Sequence, residues 1–261
     1  MLKLENIYPS VKELASRGLN IVLVSRTLAK LQTVAAEIEK KHKVKTRVIV
    51  VDFNDAETVF QKICDGTKDL NGSIGLLVNN VGMTYNHPEY YLDIENCGDF
   101  SRNIVSCNVS SVLNVTRAIM PAMVEKRKGA VINLSSMAAL VPCPLLSLYA
   151  ATKAFVVQFS RDLQIEYQNQ GITIQALTPG YVVSNMSKIS SPSLMVPSAE
   201  AYVKSALGTL GVDTVCTGFW AHDLIFFFLR VLDVLGLANK TIPLDLSQRR
   251  ANGLQNKVKS N

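Results

Sequence analysis

The sequence predicts an α/β protein built on a doubly wound parallel sheet with helices on both faces. Short runs of β-branched and other apolar residues alternate with longer segments of helical periodicity along most of the 261 residues. Apolar residues make up 48% of the chain and charged residues 18%, the balance of a globular protein rather than a disordered one. This length suits one domain that spans residues 1–261.

The predicted elements follow one another in the order that this fold requires. Residues 20–25 (NIVLVS) form a buried strand, and Thr27 is expected to cap a helix with apolar residues at helical spacing between 28 and 38. The other expected strands cover residues 46–51, 74–79, 130–134 and 172–177, and the other expected helices cover 55–69, 101–126 and 148–168.

The C-terminal third differs in composition. Residues 184–198 are rich in Ser and Pro, which fits either a mobile loop beside a substrate or a plain surface connection. Residues 219–237 are very apolar, but four ionisable residues fall on about one third of their helical wheel. This favours an interfacial helix or a pocket helix over a membrane span, with a dimer or core helix as the alternative. Residues 238–261 are expected to form a basic tail.

Charge, cysteine and histidine usage exclude several classes of function. The net charge of +6 is scattered, without an aromatic-interleaved basic patch, so we expect no nucleic-acid partner. Five cysteines without a CxxC spacing suit reduced thiols facing the cytosol. Three histidines, none at ligand spacing, predict no metal site.

One constellation of residues carries chemistry. Tyr149 lies 13 residues after Ser136, and Lys153 lies four residues after Tyr149, so Tyr149 and Lys153 can share one helix face. An ammonium beside a phenol lowers the pKa of the phenol, and a serine hydroxyl could share a carbonyl oxygen with it. Tyr8 and Lys12 have the same spacing, but no strand or serine precedes them, which indicates a surface helix turn. The pattern predicts proton donation to a ketone while hydride arrives from a cofactor.

Together with further motifs, these residues resemble the short-chain dehydrogenase/reductase family from about Val11 to about Lys204. LLVNNVG at 76–82 resembles the family's strand-4 motif, and Asn108 its helix asparagine. Thr178-Pro179-Gly180 with Ser184 resembles the motif that meets the nicotinamide. The segments ELASRGLNIVLVSRT, PEYYLD and LSLYAATKAFV are most similar to the group of 17-beta-hydroxysteroid dehydrogenases types 3 and 12. Type 12 is also the very-long-chain 3-oxoacyl-CoA reductase.

The resemblance implies a Rossmann-like fold and a role for each residue. Tyr149 would be the general acid, Ser136 would hold the substrate oxygen, Lys153 would bind the nicotinamide ribose, and Asn108 would hold a water of the proton relay. The alternatives are a buried core phenol for Tyr149 and a residue near a helix bend for Asn108. The remaining cofactor-lining residues would be Asn79, Val81 and Gly82 on the adenosine side and Pro179, Gly180, Val182 and Ser184 on the nicotinamide side.

The choice of cofactor depends on Ser25 and Arg26 at the end of the first predicted strand. An acidic residue there would bind the ribose 2′-hydroxyl of NAD, and none is present. Arg26 offers a planar, always-charged fork that suits a 2′-phosphate, although it could also be a surface arginine at a helix start. Asp52 resembles the family's adenine-contacting acid. We therefore expect NADP(H).

The chain departs from the family at its first residues. Glu5-Asn6-Ile7 stands where relatives carry the end of their glycine-rich loop, and no strand precedes it. The first strand of a doubly wound sheet is central, so its neighbours would face a gap. No signal peptide or apolar anchor opens the sequence, whereas relatives in this group begin with one. We therefore expect an N-terminally truncated version of a longer parent.

The resulting hypothesis is an NADPH-dependent carbonyl reductase that acts on a lipid ketone, either a 17-ketosteroid or a long-chain 3-oxoacyl-CoA. The C-terminal sequence Lys257-Val-Lys259-Ser-Asn261 resembles a dilysine retrieval signal, unless it is a solvated basic tail. We therefore expect an endoplasmic reticulum membrane protein with its catalytic domain facing the cytosol. A homodimer through the helices at 101–126 and 148–168 would follow the family. The rival hypothesis is a catalytically inactive truncated isoform that acts through membrane or partner binding.

Overall fold

The computed structural model describes residues 8–70 and 72–259, in which strands and helices alternate as predicted. The strands are β1 (Ile21–Ser25), β2 (Thr46–Val50), β3 (Leu76–Asn79), β4 (Gly129–Leu134), β5 (Ile172–Leu177) and β6 (Val215–Cys216). The helices are α1 (Tyr8–Ser16), α2 (Leu28–His42), α3 (Ala56–Thr67), α4 (Cys97–Val105), α5 (Ser111–Glu125), α6 (Ser147–Tyr167), α7 (Ala199–Leu207), α8 (Trp220–Val234) and α9 (Ala238–Lys259).

The strands pair in parallel but form two separate sheets. β1 pairs with β2, with Ile21 opposite Thr46, and β3, β4, β5 and β6 form a second sheet in that order. Among the described residues, no strand lies between β1 and β3, so the predicted gap is present in this part of the chain. The glycine-rich loop position at residues 5–7, on which that prediction depended, lies outside the described residues.

Helices on one face join the two sheets. α3 packs against α5 across the division. Their buried side chains form one cluster with Ile49 of β2, Val131 of β4 and Ile174 of β5. Each fully buried aliphatic side chain contributes about 1.5–3 kcal/mol. Burial on this face therefore holds the sheets together where strand pairing does not.

The opposite face is covered by α1, α2 and α7. Leu31 of α2 and Val11 of α1 pack on Ile21 of β1, whereas Tyr202 of α7 packs near Ile132 of β4. α1 contacts both α2 and α7, so it spans the two sheets on this side. Helices on both faces of parallel strands confirm the predicted doubly wound architecture.

Two local predictions were wrong. The helix predicted at 101–126 is two helices, because a π-helical segment (Ser106–Ser110) separates α4 from α5, and periodicity alone cannot reveal such a shift of hydrogen-bond register. The hydroxyl of Thr27 makes no capping bond; its backbone carbonyl accepts from Leu31 N at 3.2 Å instead. The segment at 238–261, which was predicted only as a basic tail, contains the helix α9 as far as Lys259.

Candidate active site

A cavity of about 960 Å³ lies at the carboxyl ends of the second sheet. Asn80 follows β3, Ser136 follows β4 and Gly180 follows β5, and all three line this cavity. Side chains of α8 and α9, such as Ile225 and Leu246, form the facing wall. The carboxyl edge of a doubly wound sheet is where ligands bind in this architecture.

Two hydrogen bonds fix α6 to the end of β4. The hydroxyl of Ser135 donates to the carbonyl of Lys153 at 2.7 Å, and Nζ of Lys153 donates to the carbonyl of Leu134 at 2.8 Å. Nζ of Lys153 lies 5.9 Å from the ring centroid of Tyr149, one turn earlier on the helix. The predicted pairing of Tyr149 with Lys153 is therefore present.

Ser136 and Tyr149 also meet, but the pKa of the phenol differs from the prediction. Their side chains are hydrogen-bonded, and this bond lowers the pKa of Tyr149. Burial has the larger, opposite effect and raises that pKa to about 12. The expected lowering by Lys153 was wrong for this state, because the ammonium faces the ring and the Leu134 carbonyl. Tyr149 is consequently a protonated phenol at neutral pH.

Lys153 is a buried ammonium with hydrogen-bonding capacity to spare. Its residue is 5% exposed, and burial lowers its pKa to about 8, partly opposed by Cys107. Within the described residues, its Nζ makes one hydrogen bond, although an ammonium carries three N–H donors. Since Lys153 lines the cavity, the other donors are available to a ligand there.

Asn108 connects two parts of the protein by hydrogen bonds of its side chain. It lies in the π-helical segment and is fully buried. Its Oδ1 accepts from Met83 N at 2.7 Å, and its Nδ2 donates to Met83 O at 2.9 Å and to Thr152 Oγ1 at 3.0 Å. These bonds tie the loop after β3 to α6. The water relay and the alternative of a residue near a helix bend both remain predictions; the structure adds that Asn108 lies in a π-helical segment.

The asparagine that faces the cavity is Asn80, which sequence reasoning missed. Asn79, predicted to line the adenosine side, instead donates to Asn133 Oδ1 at 2.8 Å and to Thr116 Oγ1 at 3.1 Å within the core. Asn79 and Asn133 are direct neighbours in the parallel register of β3 and β4, which explains this inward orientation. Successive residues of an extended chain point to opposite sides, so Asn80 turns towards the cavity.

The loop around Asn80 has room and donors for a nucleotide. Nδ2 of Asn80 is buried without a hydrogen-bond partner in the described part of the chain. At Gly82, an added Cβ would stand 3.2 Å from Lys153 Nζ and 3.4 Å from Asn108 Oδ1, so only glycine leaves this space open. An unsatisfied buried amide and a free ammonium in one cavity fit a polar ligand with hydroxyl groups.

The four residues predicted to form the nicotinamide side lie together at the cavity. Pro179, Gly180, Val182 and Ser184 all line the cavity. Met137 N donates to Pro179 O at 2.9 Å, which aligns this loop with the end of β4. The segment at 184–198 continues along the same cavity through residues 185–189. Its role as a loop beside the substrate stays a prediction.

The residues predicted to select the cofactor lie elsewhere. Ser25 ends β1, and Arg26 and Asp52 follow the carboxyl ends of β1 and β2. None of these three residues lines the cavity, and Val81 packs on the core instead. Arg26 Nη1 lies 3.8 Å from Asp52 Oδ2, and both side chains are partly exposed. The structure therefore brings Arg26 and Asp52 together, but at the first sheet.

α9 closes the cavity through contacts that the sequence did not indicate. Arg250 pairs with the buried carboxylate of Glu89 and lies 5.0 Å from the Tyr90 ring centroid. Arg249 lies 4.4 Å from the ring centroid of Tyr181. Burial raises the pKa of Glu89, but the hydrogen bonds from Arg250 and the Tyr90 backbone outweigh it, so the net pKa is lowered. The partners are 161 residues apart, a separation that no local pattern can predict.

α8 has two apolar faces. One face lines the cavity through Ile225, Leu229 and Leu232. The opposite face is an exposed stripe formed by Trp220, Leu224, Phe227, Phe228, Val231 and Val234, which are 40–82% exposed. At 100° per residue this stripe spans about 120° of the helix, which fits the predicted interfacial or pocket helix. In the described residues, no helix is long and apolar enough to cross a membrane.

The chain belongs to the short-chain dehydrogenase family, a class of oxidoreductases, because the family's sequence profile matches residues 9–194. Very-long-chain 3-oxoacyl-CoA reductase from Anas platyrhynchos is 42% identical over 251 residues, covering 95% of this chain and 78% of that protein. The enzyme of the same name from Mus musculus is 45% identical over 214 residues, covering 82% of this chain and 68% of that protein.

Solved structures with the same fold are more distant in sequence. A 7beta-hydroxysteroid dehydrogenase superposes with a TM-score of 0.76 at 21% identity, covering 87% of each chain. A short-chain dehydrogenase from Sphingobium yanoikuyae, solved in complex with NADPH, superposes with a TM-score of 0.72 at 22% identity, covering 90% of this chain and 92% of that one. The fold prediction and the family resemblance are confirmed.

Proposed function

We propose that this chain is an NADPH-dependent reductase of a lipid ketone, with a long-chain 3-oxoacyl-CoA as its substrate. The observation that carries the proposal is the meeting of Ser136, Tyr149 and Lys153 inside a cavity with an apolar wall. A 17-ketosteroid is the second candidate. The names of the relatives from Anas platyrhynchos and Mus musculus favour the acyl-CoA.

The residues would divide the reaction between them. Bound NADPH would supply the hydride to the carbonyl carbon. The hydroxyls of Ser136 and Tyr149 would hold the carbonyl oxygen, and Tyr149 would donate its proton as charge develops on that oxygen. Lys153 would bind the ribose hydroxyls with its remaining N–H groups. Asn108 would keep the Met83 loop in place and, through a water, connect the site to solvent.

The cofactor assignment is supported by donors on two parts of the molecule. Asn80 and Lys153 offer N–H groups within the cavity. Arg26 is the cation that would meet a 2′-phosphate, although it now faces Asp52 at 3.8 Å. If Arg26 binds the 2′-phosphate, Arg26→Ala should lower the affinity for NADPH at least about tenfold and change the affinity for NADH by no more than about twofold.

The first test is a titration of the purified chain with NADPH, followed by nicotinamide fluorescence, with NADH as the control. Selective binding of NADPH supports the reductase, and turnover of a 3-oxoacyl-CoA against androstenedione then identifies the lipid class. Absence of binding by a folded chain would support the rival, a non-catalytic protein. The division between β1 and β3 is the observation that favours this rival.

We also propose a cellular localisation and an oligomeric state for the chain. The dilysine-like sequence at 257–261, whose last two residues lie outside the described part, and the exposed stripe on α8 support the endoplasmic reticulum membrane, with the site facing the cytosol. This localisation can be tested by fusing the chain to a fluorescent protein and changing Lys257 and Lys259 to Ser. If the proposal is right, the fusion protein leaves the endoplasmic reticulum. Exposed Phe155 and Ile165 on α6 are consistent with a homodimer, which light scattering would detect.

A further inference from the structure

His222 is a fully buried histidine in the first turn of α8. Its Nε2 lies 3.0 Å from the carbonyl oxygen of Tyr181. A carbonyl oxygen can only accept a hydrogen bond, so Nε2 carries a proton and donates it. The rings of Tyr202 and Phe219, with centroids 5.9 and 5.5 Å away, hold the imidazole from its sides. The orientation of this side chain is therefore fixed by packing as well as by hydrogen bonding.

The imidazole also supports Gly180 directly. A Cβ added at Gly180 would stand 3.1 Å from Cδ2 of His222 and 3.4 Å from its Cγ. The ring therefore fills the space behind the backbone of Gly180 and Tyr181, both of which line the cavity. Burial lowers the pKa of His222, against smaller opposing effects of the Tyr181 backbone, Asp223 and the Met195 backbone. A neutral imidazole ring can donate from Nε2 to the Tyr181 carbonyl without placing a charge in the protein interior.

α8 thus touches the cavity in two ways. Ile225 and Leu229, three and seven residues after His222, line the wall that would meet the substrate. His222 contacts the loop that would meet the nicotinamide. One rigid helix therefore connects the two halves of the site.

We propose that His222 is a positioning residue, which holds the Gly180–Tyr181 backbone where the nicotinamide half of the cofactor would bind and aligns this backbone with the wall on α8 that would meet the substrate. This inference rests on the proposed reductase function. It assigns no chemical step to the imidazole. The predicted consequence is selective: interactions with the nicotinamide half of the cofactor depend on His222, whereas interactions with the adenosine half do not.

The test compares two ligands in three variants. His222→Leu fills the space but leaves the Tyr181 carbonyl without a donor, whereas His222→Gln places an amide N–H at a similar distance from the backbone. Affinities for NADPH and for 2′-phospho-ADP-ribose, which lacks the nicotinamide, are measured by calorimetry. His42→Leu, at the end of α2 and away from the cavity, is the matched control.

We expect His222→Leu to lower the affinity for NADPH about tenfold and to change the affinity for 2′-phospho-ADP-ribose by no more than about twofold. His222→Gln should recover NADPH affinity to within about threefold. Equal weakening of both ligands, or failure of the glutamine to recover binding, would overturn the proposal. If His222→Leu does not fold, Gly180→Ala gives the same selective test, since its Cβ would displace the ring. If the unmodified chain binds 2′-phospho-ADP-ribose but not NADPH, the proposed function fails instead.

Discussion

Nζ of Lys153 donates a 2.8 Å hydrogen bond to the carbonyl oxygen of Leu134, the last residue of β4. This bond places a cation at the carboxyl end of a central strand, where the Lys153 side chain is almost fully buried. A buried ammonium costs free energy unless it loses its proton, which is why the pKa of Lys153 falls to about 8.

The first prediction concerns stability and pH. In the unfolded chain, Lys153 keeps its proton up to its ordinary pKa of 10.5, whereas the folded protein releases it near 8. Between these values the unfolded state binds more protons, so folding becomes more favourable as pH rises. Relative to Lys153→Met, the free energy of unfolding should increase by about 1 kcal/mol per pH unit between pH 8.5 and 10.

Urea unfolding of both proteins at several pH values measures this difference. Taking the difference removes the contributions of tyrosines and cysteines that titrate in the same range. Lys62→Met, on the exposed surface of α3, is the control for the effect of losing an exposed lysine on the free energy of unfolding. A difference that stays constant, or that falls with pH, would mean that Lys153 is not a buried cation.

The second prediction concerns Tyr149, the proposed proton donor. The phenol of Tyr149 holds a proton at neutral pH, as the proposed reduction requires, and burial raises its pKa further, to about 12. Tyr149→Phe removes this proton and should lower the rate of ketone reduction by about a thousandfold, while NADPH affinity changes less than about twofold. Single-turnover oxidation of NADPH measures the rate. Tyr8→Phe is the matched control, since Tyr8 also precedes a lysine by four residues but bonds to Glu37 on the surface.

The fold and the meeting of Ser136, Tyr149 and Lys153 could largely be predicted from the sequence because both follow local rules. Apolar runs set the strands, and the four-residue spacing of Tyr149 and Lys153 sets a shared helix face. The roles of Asn79 and Asn80 could not be assigned, since the residue at which β3 ends decides which amide faces the core. That decision depends on the partner Asn133 across the sheet.

Other features depend on burial or on distant contacts. The pKa of Tyr149 is set by the groups that exclude water from it, and no spacing rule contains that information. The pairing of Glu89 with Arg250 joins residues far apart in the chain, so α9 could be read only as a basic tail. The gap between β1 and β3 in the described residues was predicted, because residues 5–7 lack the glycines that the family carries at that position.

The third prediction concerns how much the hydrogen bonds of the buried Asn108 contribute to stability, compared with those of the less buried Asn114. Asn108→Ala removes three hydrogen bonds and leaves the Met83 peptide without its side-chain partners. We expect the free energy of unfolding to fall by about 2–4 kcal/mol. Asn114→Ala on α5 removes one bond, from Nδ2 to the Ala56 carbonyl at 3.0 Å, and should cost about 1 kcal/mol. Equal losses in urea unfolding would show that the Met83 contacts contribute little.

The fourth prediction concerns the exposed stripe on α8. Aromatic side chains such as Trp220, Phe227 and Phe228 are the residues that an interfacial helix places at the boundary between headgroups and acyl chains. Arg230 lies beside the stripe, where it can meet lipid phosphate. The opposite face of the same helix lines the cavity, so this orientation would bring the site to the phase in which a lipid substrate is dissolved. These relationships favour a lipid surface as the occupant of the stripe.

Phe227→Ser combined with Phe228→Ser should therefore reduce partition to phosphatidylcholine vesicles that contain anionic lipid at least tenfold, because two large apolar side chains no longer leave water. The matched control is Leu92→Ser with Ile165→Ser, which removes two exposed apolar side chains, 87% and 68% exposed, outside α8. Co-sedimentation measures the partition. If the α8 variant and the control bind vesicles equally, the stripe does not contact lipid. If the unmodified chain forms a dimer that the α8 variant loses, a second copy covers the stripe instead.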